Sequence, residues 1–186
     1  LTDYRRYDPI LFNFLTVATR FTGNFRVGRD ADFWPQYIGN PNGIMWVRGY
    51  DRANGFSWGC QPGVTGGLGC NNAELLGSRA FVASAEVRFP LVRRFDLGLI
   101  PIQLPPIDGG VFFDAGAAWG NDQRFTFGRP SGDSYDPNLQ RYVLRSYGAS
   151  IRVNLFNFAL LRWDYAIPLD RPQRRGFWVW SLGPSF

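Results

Sequence analysis

Arg79-Ala80-Phe81-Val82-Ala83-Ser84-Ala85-Glu86-Val87-Arg88-Phe89 decides the fold, because apolar side chains fill the odd positions from Phe81 to Phe89 while Ser84, Glu86 and Arg88 share the even ones. A period of two sustained this long is a β-strand with one apolar and one polar face. Three further segments repeat it. Residues 109–119 set Val111, Phe113, Ala115, Ala117 and Trp119 against Phe112, Asp114, Gly116 and Ala118. Residues 145–154 set Tyr147, Ala149, Ile151 and Val153 against Ser150, Arg152 and Asn154, and residues 159–167 set Leu161, Trp163, Tyr165 and Ile167 against Arg162 and Asp164. Residues 11–21 are strand-like, with Leu15, Val17 and Phe21 opposite Thr16, Ala18 and Arg20; the last strand, residues 176–186, places Trp178, Trp180, Leu182 and Phe186 on one face. Residues 1–7, followed by the turn signal Asp8-Pro9, read as the tail of a strand that begins upstream. Pro90 is expected to end the strand before it, residues 91–108 to form a connector, and residues 120–142 a polar loop.

Two all-β architectures compete for this pattern. A soluble sandwich buries the apolar face and wets the polar one, but it rarely centres charges on each polar face or sets tryptophans near strand ends. A transmembrane barrel does both, with lipid outside, a charged lumen inside and aromatic girdles at the interfaces. The expected fold class is therefore all-β, an antiparallel transmembrane β-barrel. Six strands cannot close around a lumen, so the chain is expected to be the C-terminal part of a larger barrel.

Composition narrows the chemistry. The chain has 186 residues, 45% of them hydrophobic, and no run of apolar residues long enough for a membrane-spanning helix or a signal peptide. A mean hydropathy of -0.19 fits barrel strands, whose two faces average out. All 20 basic residues are arginine, and histidine is absent. Without lysine the glycine-rich run from Gly63 to Gly69 is no phosphate loop, and without histidine there is no catalytic triad or zinc-protease helix. The net charge of +5 is carried by scattered arginines, which argues against nucleic acid and leaves anionic lipid or lipopolysaccharide at the loop tips as the better partner. Paired acids could suggest a glycosidase, but nothing supplies a substrate cleft. No enzyme, cofactor or metal site is expected.

Between Thr22 and Ser78 lies a very long connection containing Trp34-Pro35, Asn40-Pro41-Asn42-Gly43 and Met45-Trp46-Val47-Arg48-Gly49-Tyr50-Asp51. Its density of aromatic and glycine residues is unlike disorder, and a loop this long in a compact unit points to function. Arg48 reads as a loop residue sent inward to meet carboxylates carried by later strands. Cys60 and Cys70 lie in the same loop. Zinc would need about four ligands, which this chain cannot supply, so a Cys60–Cys70 disulfide, stabilising by roughly 2 to 3 kcal/mol in an oxidising compartment, is the expected reading over two free thiols in a reducing one.

Val47-Arg48-Gly49-Tyr50, the strand Ala85-Glu86-Val87-Arg88-Phe89-Pro90-Leu91, the strand Phe112-Phe113-Asp114-Ala115-Gly116 and the ending Leu161-Arg162-Trp163-Asp164-Tyr165-Ala166 to a terminal Phe186 together resemble the BamA/TamA superfamily of outer-membrane barrels. The resemblance spans nearly the whole chain. It implies a sixteen-stranded barrel of which these are about the last six strands, with the tail of the tenth at the start, in the bacterial outer membrane. It also implies that the loop at about residues 23–78 folds back as a lumenal plug. Carried over by position, Arg48, with Gly49 and Tyr50, pairs with Glu86 and Asp114, and the alternation independently puts both acids on the inner face. Asp164 with Arg162 reads instead as ordinary solvated lumen charge. Trp178, Trp180, Leu182 and Phe186 resemble the C-terminal assembly signal of such barrels, from which Pro184 departs. Two functions follow. One is assembly, insertion or translocation of outer-membrane proteins, with unfolded clients and periplasmic or lipoprotein subunits as partners; the other is a structural barrel anchoring a complex without insertase activity.

Overall fold

The computed structural model describes residues 1–11, 14–41, 43–50, 52–53, 56–57, 72–92, 105–128, 136, 139–155, 158–171 and 174–184. Seven long strands carry the fold: β1 (Thr2–Ile10), β2 (Leu15–Phe25), β3 (Arg79–Val92), β4 (Ile107–Trp119), β5 (Leu144–Leu155), β6 (Ala159–Pro168) and β7 (Phe177–Pro184). They form one sheet in chain order, each antiparallel to the next, with β1 and β7 as its edges. This is an antiparallel meander, consistent with part of a barrel wall.

The first strand is longer than the sequence suggests, because β1 runs through Asp8-Pro9 to Ile10 and pairs with β2 from Thr2 against Gly23 to Ile10 against Leu15. Pro9 lies one pair from the end of the ladder, where a residue that cannot donate forfeits at most one hydrogen bond. Pro90 does not end β3 either. A register shift between Pro90 and Val92 absorbs it as a bulge, and pairing resumes with Val92 against Ile107. Residues 120–142 are more than a polar loop: Arg124–Thr126 and Gln140–Tyr142 pair in parallel.

Alternation sorts the sheet's two faces. On the convex face Val111, Phe113, Tyr147, Trp163, Trp178, Trp180 and Leu182 are exposed. On the concave face Glu86, Phe112, Asp114, Ser146, Ser150, Arg152 and Asp164 are buried. At one end of the strands the convex side carries an aromatic chain, in which Phe81 meets Phe21, Trp119 and Phe125, and Trp119 stacks on Phe125 at 4.6 Å between centroids.

The concave face is not polar throughout. Ile38, Met45, Val47, Tyr50 and Leu75 of the long connection pack against Ala80 and Val82 of β3, Ala118 of β4, Leu144 of β5 and Tyr142, and form the hydrophobic core. The connection is pinned by its own short ladder: Gln36–Tyr37 pairs with Leu76–Gly77, Gly39 bridges Trp46, and Val47 N donates to Ile38 O at 3.0 Å. Small residues below make room. A Cβ on Gly116 would stand 2.5 Å from Val47 Cγ2 and 2.8 Å from Phe81 O, so only glycine lets the connection settle here.

Candidate functional site

Strand register brings three acids within reach of one point. Ser84 of β3 lies opposite Asp114 of β4, which lies opposite Ser146 of β5. One residue pair further along, Glu86, Phe112, Gly148 and Ala166 form the next row, and Arg88, Gly110, Ser150 and Asp164 the row beyond. Glu86, Asp114 and Asp164 thus arrive from three strands on the concave face, with an aromatic ring, a glycine and an alanine between them.

Arg48 fills that space. Its Nε donates to Asp114 Oδ2 at 2.6 Å and its Nη2 to Asp114 Oδ1 at 2.7 Å, the two-pronged geometry that a planar guanidinium favours. Nη2 also donates to Ser84 Oγ at 3.0 Å, and Nη1 stands 3.4 Å from Glu86 Oε2 and 3.5 Å from Asp164 Oδ1. The guanidinium carbon lies 3.5 Å from the centroid of the Phe112 ring. The Arg48 backbone N donates to Asp114 Oδ2 as well, so one carboxylate fixes both the side chain and the main chain of the turn. Arg48 is 4% exposed and Asp114 1%, so this cluster is out of water. Burial works against the charge on Arg48, yet the carboxylates of Asp114, Asp164 and Glu86 outweigh it and raise its pKa.

Gly49 and Tyr50 complete the turn. Gly49 has φ of +90°, a left-handed conformation that disfavours side chains, although a Cβ there would only touch Ser146 and Ala166 in ordinary contact at 3.4 and 3.5 Å. Tyr50 is fully buried; its hydroxyl donates to Arg145 O at 2.8 Å and accepts from Asp170 N at 3.2 Å. Burial, then the nearby charge of Asp170, pushes the Tyr50 pKa up.

Two features of this neighbourhood escape the alternation reading. Asp164 is not solvated: it is 0% exposed and held between Arg162 Nε at 2.8 Å and Arg48 Nη1. Asp170, which follows the end of β6, anchors the outer side of the turn by accepting from Arg145 N at 2.8 Å and from Arg145 Nη2 at 2.8 Å. Nearby, Arg171 pairs with Glu74 at 3.3 Å and its guanidinium carbon lies 5.0 Å from the Tyr50 ring centroid. The sequence signal for Asp164 was its inward register on β6, where an acid is expensive unless paired. For Asp170 a loop position gave none.

A profile of the Omp85 superfamily domain matches residues 2–186. The chain belongs to the Omp85 superfamily. No curated protein and no solved structure matches it. Omp85 superfamily proteins are outer-membrane proteins, and the superfamily is broadly one of outer-membrane protein insertion and translocation. The all-β sheet of this Omp85 chain, apolar and aromatic outside and charged inside, is consistent with a partial barrel of that kind. Trp178, Trp180 and Leu182 stand exposed on the convex side of β7. Cys60, Cys70 and Phe186 lie outside the described residues.

Proposed function

We propose that this chain is the C-terminal part of a BamA/TamA-type barrel of the bacterial outer membrane that assembles, inserts or translocates outer-membrane proteins, with residues 23–78 serving as a lumenal plug. The observation that carries this reading is the burial of Arg48 among Asp114, Glu86 and Asp164. A loop arginine shared by acids of three strands does no chemistry on a substrate. It ties a loop to a wall, and a barrel that works on clients has reason to hold its lumen closed while the wall yields elsewhere. The exposed aromatic convex face supports contact with lipid and lipopolysaccharide. Clients would be unfolded outer-membrane proteins, and periplasmic or lipoprotein subunits would deliver them.

The test is reconstitution of the full-length protein in lipid vesicles with a urea-denatured outer-membrane barrel as client. Faster client folding than in empty vesicles is the expected result, with Arg48→Ala losing most of the acceleration while still inserting in the bilayer. Client folding that the vesicle-borne protein leaves unchanged would assign the barrel to anchoring a complex.

A further inference from the structure

Between the underside of the long connection and the concave face lies a cavity of about 330 Å³. Six arginines line it: Arg5, Arg20, Arg48, Arg88, Arg152 and Arg162. At its inner end Arg48, Arg88, Arg152 and Arg162 face three carboxylates among the described residues, Glu86, Asp114 and Asp164, a surplus of one positive charge. Asp114 is committed to Arg48. Glu86 is shared by Arg48, Arg88 and Arg152, and Asp164 by Arg48 and Arg162.

The unspent donors are localised. Arg88 donates to Glu86 through Nε, and Arg162 Nε stands 2.8 Å from Asp164 without hydrogen-bond geometry, so the Nη groups of both make no hydrogen bond among the described residues. Arg152 is 6% exposed, and its buried Nε has no acceptor. Aromatic rings lie beside the two freer guanidiniums, Trp46 at 4.8 Å from Arg162 and Tyr7 at 5.3 Å from Arg88. A guanidinium steadied against a ring keeps its N–H edge available for an oxyanion. Arg152 is buried while the Arg88 and Arg162 side chains are 31% and 22% exposed, so the surplus sits at the mouth of a buried pocket where an anion can reach it.

We propose that this cavity is a phosphate-binding site, with Arg88 and Arg162 as the clamp and Arg152 behind them. A phosphate presents several acceptor oxygens and at least one negative charge, which matches both the free donors and the surplus. The group can come as free phosphate or on a phosphorylated lipid headgroup. This inference is independent of client folding.

The experiment is calorimetric titration of the full-length protein in zwitterionic micelles, with inorganic phosphate in one arm and a phosphorylated glucosamine lipid in the other. Saturable binding in either arm, weakened roughly tenfold in Arg88→Gln and in Arg162→Gln and unchanged in Arg29→Gln on the exposed loop, is the expected result; the arm that saturates names the source. Binding in neither arm, or binding indifferent to Arg88 and Arg162, overturns the proposal. Heat-modifiable gel mobility reports whether each variant is folded. If either cavity variant misfolds, the wild-type protein decides: replacing chloride with phosphate at equal ionic strength should raise its melting temperature, and no rise overturns the site.

Discussion

The turn at Arg48-Gly49-Tyr50 is held from two sides by the same chemistry, an arginine against an aspartate, and the two sides are not equivalent. On the inner side Arg48 and Asp114 are both sealed from water, at 4% and 1% exposure of their side chains. On the outer side Asp170 is sealed at 5%, but the Arg145 side chain is 49% exposed. Solvent screens the second pair and leaves the first at nearly full strength. Distances are similar, 2.6 Å inside and 2.8 Å outside, so a contact list would rank the two anchors alike. Burial is what separates them.

Removing the inner arginine should therefore have the largest effect. Arg48→Ala leaves Asp114 without a cation in a dry site and strips one partner each from Glu86 and Asp164, and the expected loss is about 3–5 kcal/mol in the unfolding free energy of the full-length protein in micelles. Urea titration followed by tryptophan fluorescence measures it. Adding Asp114→Asn to Arg48→Ala should cost less than the two single changes summed, because the charge no longer needs a partner. Strict additivity would mean that the inner pair is no tighter than the outer one.

Gly49→Ala tests the hinge between the two anchors. A side chain at φ of +90° costs about 1–2 kcal/mol, while its Cβ would only touch Ser146 and Ala166. The same titration should show an intermediate loss. A neutral result would mean that the turn can relax to a right-handed conformation without releasing Arg48.

Much of the inner anchor is legible in the sequence and little of the outer one, for a physical reason. In a strand the two-residue period fixes which way each side chain points, so Glu86 is placed inward by the run of Phe81, Ala83, Ala85, Val87 and Phe89 opposite, and Asp114 by Val111, Phe113, Ala115, Ala117 and Trp119 on its own strand. The same period places Asp164 inward but says nothing of depth: its full burial depends on the connection lying above it, which no local pattern reports. Loop residues have no period at all. Nothing in Ile38, Met45, Val47 and Leu75 announces that they pack onto Ala80, Val82 and Leu144, and a face expected to be charged carries an apolar core as well. Turn signals mislead in the other direction. Asp8-Pro9 and Pro90 promise strand ends, but a place at the last pairs of the ladder and a bulge let both strands continue.

Tyr50 belongs to the outer side yet is fully buried, which makes it the sharper probe of that side. Tyr50→Phe removes a hydrogen bond to Arg145 O, which Leu169 N still satisfies at 2.9 Å, and leaves Asp170 N without its acceptor. The expected cost is about 1 kcal/mol. Because the folded state raises the Tyr50 pKa above its ordinary value of 10.0, the stability this contributes is complete below that pH and is lost as pH climbs past it. The wild-type protein should weaken more steeply than Tyr50→Phe above pH 10 in parallel melts; matching slopes would mean that the hydroxyl is solvated.

The smallest effect is expected at Arg145. Arg145→Gln deletes the Nη2 contact to Asp170, but half of that side chain already faces solvent, and the Arg145 backbone N continues to donate to the same carboxylate at 2.8 Å. Asp170 is therefore not left bare, and the loss should be at most about 1 kcal/mol and should shrink further in high salt. The inner anchor, being dry, should show no such salt dependence. If Arg145→Gln instead matched Arg48→Ala in size and in indifference to salt, the outer pair would have to be shielded from water by surface this chain does not itself supply, and the contrast between the two sides of the turn would belong to the isolated wall rather than to the assembled barrel.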